Sequence, residues 1–270
     1  MTTLVRDLMH RGLLTCQTDM PLGEVASLLA GYHVHALIVV DRAGKPVGII
    51  SDFDLLAGEW LSVDQDSLAA MKKLTAGELM SAPIDTVEAD TPLAGAARIM
   101  MEKQVHRLMV TEKDVPAGLI SISDFVASIA ALEKAKREIV GDVMSDVFLV
   151  CREKTPIVSA ARTVTQAGWR SVIVVDSRGK PLGIVTGNDL MRFAGKNVDE
   201  NLTVSDVMNR NLVTIDINAS LQEAANLMIQ NHRHRVIVID VNNPESFPLG
   251  VISSFDIVEE MARPGSVWQG

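Results

Sequence analysis

Hydrophobic and polar residues near the start of the chain change their period from one short segment to the next. In PLGEVASLLAGY, residues 21–32, the apolar positions recur at the spacing of one helix face. The segments HALIVVD and KPVGIIS that follow are apolar runs joined by the Gly-containing DRAGK, which predicts a two-stranded hairpin. LLTCQ predicts a further short strand upstream, and a second helix is expected after Ser51. The pattern predicts a β-α-β-β-α unit of roughly 50 residues, which is too small to fold stably on its own.

This unit is repeated three more times along the chain. Each copy is led by a methionine, at Met9, Met80, Met144 and Met208. Twelve residues later stands the residue that opens the first helix, at Pro21, Pro92, Pro156 and Ser220. Each copy ends on Gly-x-x-[Ser/Thr]-x-x-Asp, in GIISDFD, GLISISD, GIVTGND and GVISSFD. Matches at several independent offsets indicate four internal repeats, and paired repeats would cover each other's apolar sheet faces.

Local signals refine these units. Thr91 and Thr155 are placed to cap the first helices of their repeats, with proline at the first helical position. Thr75 and Glu78 have the spacing of a capping box. Residues 57–74 and 133–140 are expected to form helical connectors. The segment DVNNPESFPLG of the fourth repeat is polar and contains proline, so it predicts a lengthened hairpin turn.

Composition narrows the class of protein. The chain has 270 residues, 47% of them hydrophobic, so it can bury a substantial core. Its formal net charge of −9 argues against broad nucleic-acid binding. The sequence shows neither an apolar run long enough to span a membrane nor a signal peptide. Cys16 and Cys151 fit reduced thiols better than a disulfide framework, so a cytoplasmic location is expected.

The leading DLM or DVM, the order of elements and the Gly-x-x-[Ser/Thr]-x-x-Asp ending resemble the cystathionine β-synthase (CBS) domain family over almost the whole chain. The resemblance implies an α/β (α+β) fold of four β-α-β-β-α repeats, packed as two pseudo-twofold tandem pairs called Bateman modules. The first module is expected at residues 1–133, with repeats at 1–62 and 74–133. The second is expected at 134–270, with repeats at 138–198 and 202–263. The layout is similar to that of the four-repeat γ subunit of the AMP-activated protein kinase.

The aspartate that ends each repeat stands where a strand gives way to a helix. A carboxylate there can accept two hydrogen bonds from a vicinal diol such as that of ribose. The alternative is a helix cap, because Asp in the first turn also stabilises the helix dipole, and both can hold at once. The resemblance to CBS domains implies ribose binding at these positions. The candidates are Asp54, Asp124, Asp189 and Asp256, with the hydroxyls of Ser51, Ser121, Thr186 and Ser253.

Basic pairs precede the middle strand of two repeats. His106–Arg107 and His234–Arg235 stand 26 and 27 residues after the leading methionine. Arg can clamp a phosphate with two hydrogen bonds, and His adds another donor. In nucleotide-binding CBS proteins basic residues at this edge reach phosphates, so the resemblance implies that these four residues bind phosphate. The alternative is a solvated basic residue at the start of a strand.

A threonine six residues after the methionine could add a ribose or phosphate contact, at Thr15, Thr86 and Thr214. The third repeat has Val150 there. At the basic position the first repeat has His35–Ala36 and the third has Arg170–Ser171. We therefore expect two good sites, built around repeats two and four.

Other chemistry is less favoured by the sequence. HVH at 33–35 and HRH at 232–234 lack a third metal ligand, so no metal site is predicted. Cys16 and Cys151 occupy equivalent repeat positions, as small buried strand residues would. Methionines such as Met100, Met101 and Met228 are expected in the core. Trp169 lies near the basic position of repeat three and could stack on a base, although packing is favoured.

The function that the resemblance implies is a non-enzymatic regulatory sensor. It would bind an adenosine-containing ligand between paired repeats, AMP, ADP or ATP, with S-adenosylmethionine left open, and none of these as a catalytic cofactor. Binding would alter an unidentified effector protein by a conformational change; neither nucleic acid nor membrane is an expected partner, and a homodimer through the modules stays open. The alternative is a structural or interaction scaffold without a physiological nucleotide. An enzyme such as a nucleotide hydrolase is less favoured, because no recurrent general base accompanies a nucleophile.

Overall fold

The computed structural model describes residues 3–55, 73–132, 138–167, 171–191, 201–243 and 245–266. The helices of these segments are α1 (Val5–Leu8), α2 (Leu22–Tyr32), α3 (Ala76–Leu79), α4 (Leu93–Lys103), α5 (Ile122–Ala130), α6 (Val140–Val143), α7 (Ile157–Gln166), α8 (Gly187–Met191), α9 (Val204–Val207), α10 (Leu221–Gln230) and α11 (Ser254–Ala262). The strands are β1 (His10–Arg11), β2 (Thr15–Gln17), β3 (Ala36–Val40), β4 (Pro46–Ser51), β5 (Thr86–Glu88), β6 (Arg107–Glu112), β7 (Val115–Ser121), β8 (Val150–Arg152), β9 (Ser171–Val175), β10 (Pro181–Thr186), β11 (Thr214–Asp216), β12 (Arg235–Ile239) and β13 (Gly250–Ser253).

Each repeat builds the same small mixed sheet. Its first strand is parallel to the middle strand, and the middle strand is antiparallel to the third, in the orders β2-β3-β4, β5-β6-β7, β8-β9-β10 and β11-β12-β13. The parallel pair requires a crossover, which the first helix of each repeat supplies, and the antiparallel pair is joined by a hairpin. The predicted β-α-β-β-α order is therefore confirmed.

The repeats are paired by an exchange of their leaders, the short segments at 4–10, 75–81, 139–145 and 203–209 that contain the leading methionines. The leader of repeat one bridges to repeat two at Leu4 and Pro92, and the leader of repeat two bridges back at Pro21 and Thr75. β1 extends this contact by pairing with β7. Repeats three and four are exchanged in the same way, as shown by the bridges Ile139–Ser220 and Pro156–Thr203. The chain therefore forms two tandem pairs, here called module one (repeats one and two) and module two (repeats three and four). The predicted boundary at residue 133 lies outside the described residues.

The exchanged leaders explain the glycine that opens the repeated motif. A Cβ at Gly250 would lie 2.6 Å from the carbonyl oxygen of Ser145, and one at Gly183 would lie 3.0 Å from that of Asn209. Gly48 meets Ser81 in the same way, and Gly118 lies against the carbonyl of His10. Because only glycine leaves room for another backbone at this distance, the motif glycine is a packing requirement of the pair.

The two modules are packed together through helices and share buried cores. One cluster of buried residues combines repeats two and four, where α5 packs against α10 and α4 against α11. Repeats one and three have separate cores, and Phe53 of repeat one packs against the core of repeat three. The sheets of repeats three and four meet face to face at Ile173, Val175, Ile237 and Val251. Met100 and Met228 are buried, as expected.

The helix starts differ from the sequence prediction by one residue. The N-caps are Pro21, Pro92 and Pro156, so proline is not the first helical residue and Thr91 and Thr155 lie outside the helices. Each proline keeps an extended backbone, since it bridges to an exchanged leader. The fourth repeat uses a side-chain cap at Ser220.

Other local predictions have mixed outcomes. The capping box of Thr75 and Glu78 is confirmed, with Thr75 N and Oγ1 both donating to Glu78 Oε2 at 2.9 Å. The segment DVNNPESFPLG does join β12 to β13 as a long hairpin connection. Most of the predicted connectors, at 57–72 and 133–137, lies outside the described residues.

Candidate ligand-binding site

The motif aspartates are helix caps in all four repeats. Asp54 Oδ2 accepts hydrogen bonds from the backbone N–H of Ser51 at 2.7 Å and from its hydroxyl at 2.6 Å. The same two bonds join Asp124 to Ser121, Asp189 to Thr186 and Asp256 to Ser253, at 2.6 to 2.9 Å. The capping interpretation of the repeated motif is thus confirmed, and it uses one oxygen of each carboxylate.

The other carboxylate oxygen distinguishes the repeats. Asp124 Oδ1 is held by His10 Nε2 at 2.9 Å, from the exchanged leader of repeat one. Among the described residues, the Oδ1 atoms of Asp54, Asp189 and Asp256 have no hydrogen-bond partner. Burial raises the pKa of Asp256, while the bonds from Ser253 and the charge of Arg235 oppose that shift. Three of the four aspartates therefore keep an acceptor for a ligand hydroxyl.

A central cavity lies where the four repeats meet. It holds about 1340 Å³ of empty space, including the part open to solvent. Residues of every repeat line it, among them His35, Asp52, Phe53, His106, Arg107, Ser121, Ser171, Thr186, His234, Arg235, Ser253 and Phe255. The sequence-predicted pairs His106–Arg107 and His234–Arg235 are therefore brought to one place, together with three of the capping hydroxyls.

The hairpins explain why these side chains converge. Arg107 lies opposite Ser121 in the register of β6 and β7, and Arg235 lies opposite Ser253 in that of β12 and β13. The carbonyls of His106 and His234 accept hydrogen bonds from the first residues of α5 and α11. Each basic pair is thereby fixed beside the N-terminus of a helix. Helix N-termini favour anions, so the basic pairs and the positive ends of two helices lie beside the same space.

Both arginines reach towards the repeat with which their own repeat is paired. Burial lowers the pKa of Arg107, and the carboxylates of Asp52, Asp124 and Asp54 oppose that shift. Asp52 and Asp54 belong to repeat one. Arg235 Nη1 donates to Ser171 Oγ of repeat three at 3.0 Å. The guanidinium groups of repeats two and four thus occupy equivalent places in their modules.

Histidines from three repeats surround the same cavity. His35 Nδ1 lies 2.9 Å from Asp52 Oδ2, and the rings of His35 and His234 meet edge to face at 6.2 Å. The ring of His106 packs on Phe255 with centroids 5.2 Å apart. Titratable donors are therefore concentrated beside the two arginines, where a ligand with several negative oxygens could be held.

Some lining residues were missed from the sequence. Asp52, Phe53, Ser254 and Phe255 fill the two variable positions of Ser-x-x-Asp, in the first helical turn, and face the cavity. Asp52 and Ser254 differ from copy to copy, so repeat matching hides them, whereas Phe53 and Phe255 occupy the same position of repeats one and four. Their position could have identified them, because they lie between the two residues of a capping box, in the helical turn that follows the last strand of the repeat.

Other predicted site residues lie elsewhere. Ser51 and the four motif aspartates are not among the residues that line the cavity, and Thr15 and Thr214 lie at the starts of β2 and β11. Thr86 lines a separate cleft of module one. Arg170 and Trp169 fall outside the described residues. The roles proposed for all these residues stay predictions.

Burial raises the pKa of Cys16 and raises that of Cys151 to about 11. Cys16 is buried, as expected, whereas Cys151 is only half-buried. Thiols with a raised pKa are poor nucleophiles at neutral pH. In the described segments, no three His, Cys, Asp or Glu side chains are grouped so as to hold a metal ion. No helix in those segments is long and apolar enough to cross a membrane.

Comparison with known proteins gives the same fold. The CBS domain family model matches residues 5–59, 76–131, 140–196 and 204–263. The uncharacterized protein MJ1404 of Methanocaldococcus jannaschii is 32% identical over 191 residues, 69% of this chain, and this chain spans 43% of that relative. The crystal structure of MJ1225 from the same organism, proposed to be an archaeal homologue of γ-AMPK, covers 95% of this chain and 99% of its own, with a TM-score of 0.81 and 19% identity.

A further solved structure, an uncharacterized conserved protein from Pyrococcus horikoshii, has a TM-score of 0.70 and 23% identity, over 96% of this chain and 100% of its own. The family model covers most of the sequence in four matches, and the leaders pair those matches two by two. The chain therefore belongs to the CBS domain family, with four repeats that form two tandem Bateman modules in a layout similar to that of the γ subunit of the AMP-activated protein kinase.

Proposed function

We propose that the protein is a non-enzymatic sensor that binds an adenine nucleotide, AMP, ADP or ATP, in the central cavity. Bound nucleotide would change the angle between paired repeats and so alter a partner protein. The observation that carries the proposal is the convergence of Arg107 and Arg235 on one cavity, beside the starts of α5 and α11.

The chemistry of the lining supports a phosphate-bearing ligand. Guanidinium groups bind phosphate oxygens with two parallel hydrogen bonds, and the neighbouring histidines supply more donors. For the ribose, Asp256 offers its unused Oδ1 behind the cap of α11. These side chains would hold the phosphates and the ribose by charge and hydrogen bonds. The proposed function is therefore binding without catalysis.

One observation favours a scaffold as the second candidate. Each motif aspartate already has a structural task in its capping box, so its presence in all four repeats does not require a ligand. A scaffold would keep the caps and the helix packing between modules, and it would ignore nucleotides. The two candidates therefore differ in a single measurable property, which is the response to nucleotide.

The experiment is a titration of the purified chain with AMP, ADP, ATP and S-adenosylmethionine, with and without magnesium, followed by calorimetry and thermal melting. A ligand at 100 times its Kd stabilises the folded state by about 2.7 kcal/mol. Loss of charge-assisted hydrogen bonds in Arg235→Met is expected to weaken the nucleotide Kd about 10- to 100-fold.

The matched control is Arg162→Met, which removes an exposed arginine from α7 and should leave the Kd unchanged. Equal binding by wild type and Arg235→Met would contradict the phosphate assignment. No response of the ligand-free protein to any of the four compounds would favour the scaffold.

A further inference from the structure

Module one has a second cleft, away from the central cavity. It lies between the hairpin turn of repeat one and the sheet of repeat two. Lys45 and Pro46 line it from the turn, and Thr86, Met109 and Pro116 line it from the strands. The cleft thus combines an apolar floor with a lysine at its rim.

The internal repeats define the same place in module two. The turns at 41–45 and 176–180 share their hydrogen bonds: Asp41 N donates to Lys45 O, as Asp176 N donates to Lys180 O. The strands also correspond, because Thr86 pairs with Met109 as Thr214 pairs with Ile237. Gly179, Lys180 and Pro181 are therefore the counterparts of Gly44, Lys45 and Pro46.

In module two the long hairpin of repeat four covers this place. A Cβ at Gly179 would lie 2.9 Å from the ring of Phe247, and that ring packs on Phe148 with centroids 5.8 Å apart. Lys180 Nζ donates to Glu245 Oε1 at 2.7 Å. The chain thus lays an aromatic ring and a carboxylate, two residues apart, over the turn of repeat three.

The corresponding turn of module one is uncovered. Gly44 and Lys45 are exposed, whereas Gly179 is buried and Lys180 half-buried. Repeat two has only Lys113 and Asp114 in place of the long hairpin, and no ion pair of Lys45 is found among the described residues. Two acidic residues line the cleft, Glu88 and Asp114. Glu88 already accepts from the Thr111 hydroxyl at 2.6 Å, and Asp114 lies in the short turn of repeat two, across the cleft from the turn of Lys45.

We propose that this cleft is a docking groove for a peptide segment of a partner protein that carries an aromatic residue two positions after a carboxylate. The carboxylate would pair with Lys45, as Glu245 pairs with Lys180. The ring would lie on the turn at Gly44, as Phe247 lies on Gly179. The chain's own fourth repeat provides the template for this partner.

The test uses a fluorescein-labelled synthetic peptide with the sequence of residues 242–249, NNPESFPL, titrated with the full chain and followed by fluorescence anisotropy. One binding site is expected in the wild-type chain. Lys45→Glu is expected to weaken the Kd about tenfold or more, since an attractive pair becomes a repulsive one. The same loss is expected when the Phe or the Glu of the peptide is replaced by Ala.

Lys154→Glu is the matched control, because it reverses an exposed charge of module two and should leave the Kd unchanged. The double variant Glu245→Ala and Phe247→Ala frees both Lys180 and the turn of repeat three, so it should bind two peptides, and thermal melting verifies its fold. Binding that ignores Lys45→Glu and the peptide substitutions would overturn the proposal. Displacement of the peptide by ATP, or a concentration-dependent dimer that Lys45→Glu abolishes, would also overturn it by naming a different occupant.

Discussion

The two modules share the same backbone contacts and helix caps, here called the shared frame, and differ in the side chains and turns at their surface. In both, exchanged leaders pack on motif glycines, Ser or Thr and Asp close a capping box, and an arginine of the second repeat points to the first. In module two a long hairpin covers the turn of the neighbouring repeat, whereas in module one that turn is exposed. In module one His10 occupies the spare oxygen of Asp124, whereas Asp256 keeps its own.

This difference teaches where the chain can vary without losing the fold. Backbone contacts and caps are repeated because each is needed to close a pair of units too small to stand alone. Side chains on the hairpin turns and at the second oxygen of the aspartate are under no such requirement. Two copies of one architecture can therefore acquire different binding properties at equivalent places.

The largest expected effect tests the shared frame. Gly118→Ala places a Cβ against the carbonyl of His10, a backbone atom that has no rotamer to adopt. We expect a loss of about 3 kcal/mol in the free energy of unfolding, measured by urea denaturation. Gly250→Ala in module two should lose a comparable amount, because Ser145 O lies in the equivalent place.

Gly23→Ala is the matched control, since a Cβ there has no atom within 4 Å and Ala favours α2. It should stabilise the chain by about 0.5–1 kcal/mol or leave it unchanged. If Gly118→Ala were as stable as wild type, the exchanged leader would not explain the motif glycine.

Most of the frame was predictable from the sequence, for physical reasons. The repeat offsets fixed the β-α-β-β-α order, because helix and strand periods are local properties. The exchange of leaders was not predictable, since a bridge such as Leu4–Pro92 joins residues far apart in sequence. The one-residue error at Pro92 has the same origin: the proline is held extended by that bridge.

The site was predicted only in part. His106, Arg107, His234 and Arg235 were found because they repeat, and the cavity does bring them together. Asp52 was missed because it does not repeat, although it faces the cavity. Thr86 repeats but lines the other cleft, which shows that equivalent positions need not share one pocket. Repetition identifies what a fold needs and overlooks what distinguishes its sites.

A smaller effect is expected from the buried carboxyl of module two. Burial raises the folded pKa of Asp256 above its ordinary value of 3.8. The folded state then holds the proton more tightly than the unfolded state, so this group's contribution to stability falls as pH rises from 3.8 through the raised folded value. Asp256→Asn should remove that part of the slope in urea denaturation between pH 3.5 and about 7.

Glu260 has a pKa raised in the same direction by burial, so its slope remains in both proteins and cancels in the difference. Asp146→Asn, at an exposed position, is the control and should leave the slope unchanged. A steeper loss of stability with pH in Asp256→Asn than in wild type would show that ionised Asp256 is stabilised and not penalised by its surroundings.

The smallest expected effect is on the nucleotide Kd, and it comes from Asp124 Oδ1, the carboxylate oxygen that His10 contacts. His10→Ser gives the leader of repeat one the residue found at the same place in the leaders of repeats two and three, Ser81 and Ser145. It frees Asp124 Oδ1 for a ligand hydroxyl, and this step rests on the nucleotide proposal. The histidine is largely exposed, and exposed pairs contribute less than about 1 kcal/mol, so the nucleotide Kd at repeat two should tighten by about fivefold at most.

The measurement is calorimetry in an Asp256→Ala background, where repeat four no longer contributes its ribose acceptor. His10→Ala gives the same result if only the release of Asp124 matters, and His10→Gln, which can still donate to the carboxylate, should bind as wild type does. An unchanged nucleotide Kd in all three variants would show that His10 only joins the leader of repeat one to repeat two. A selective gain in the serine and alanine variants would make it the residue that sets module one apart from module two, because it competes with the ligand for one oxygen.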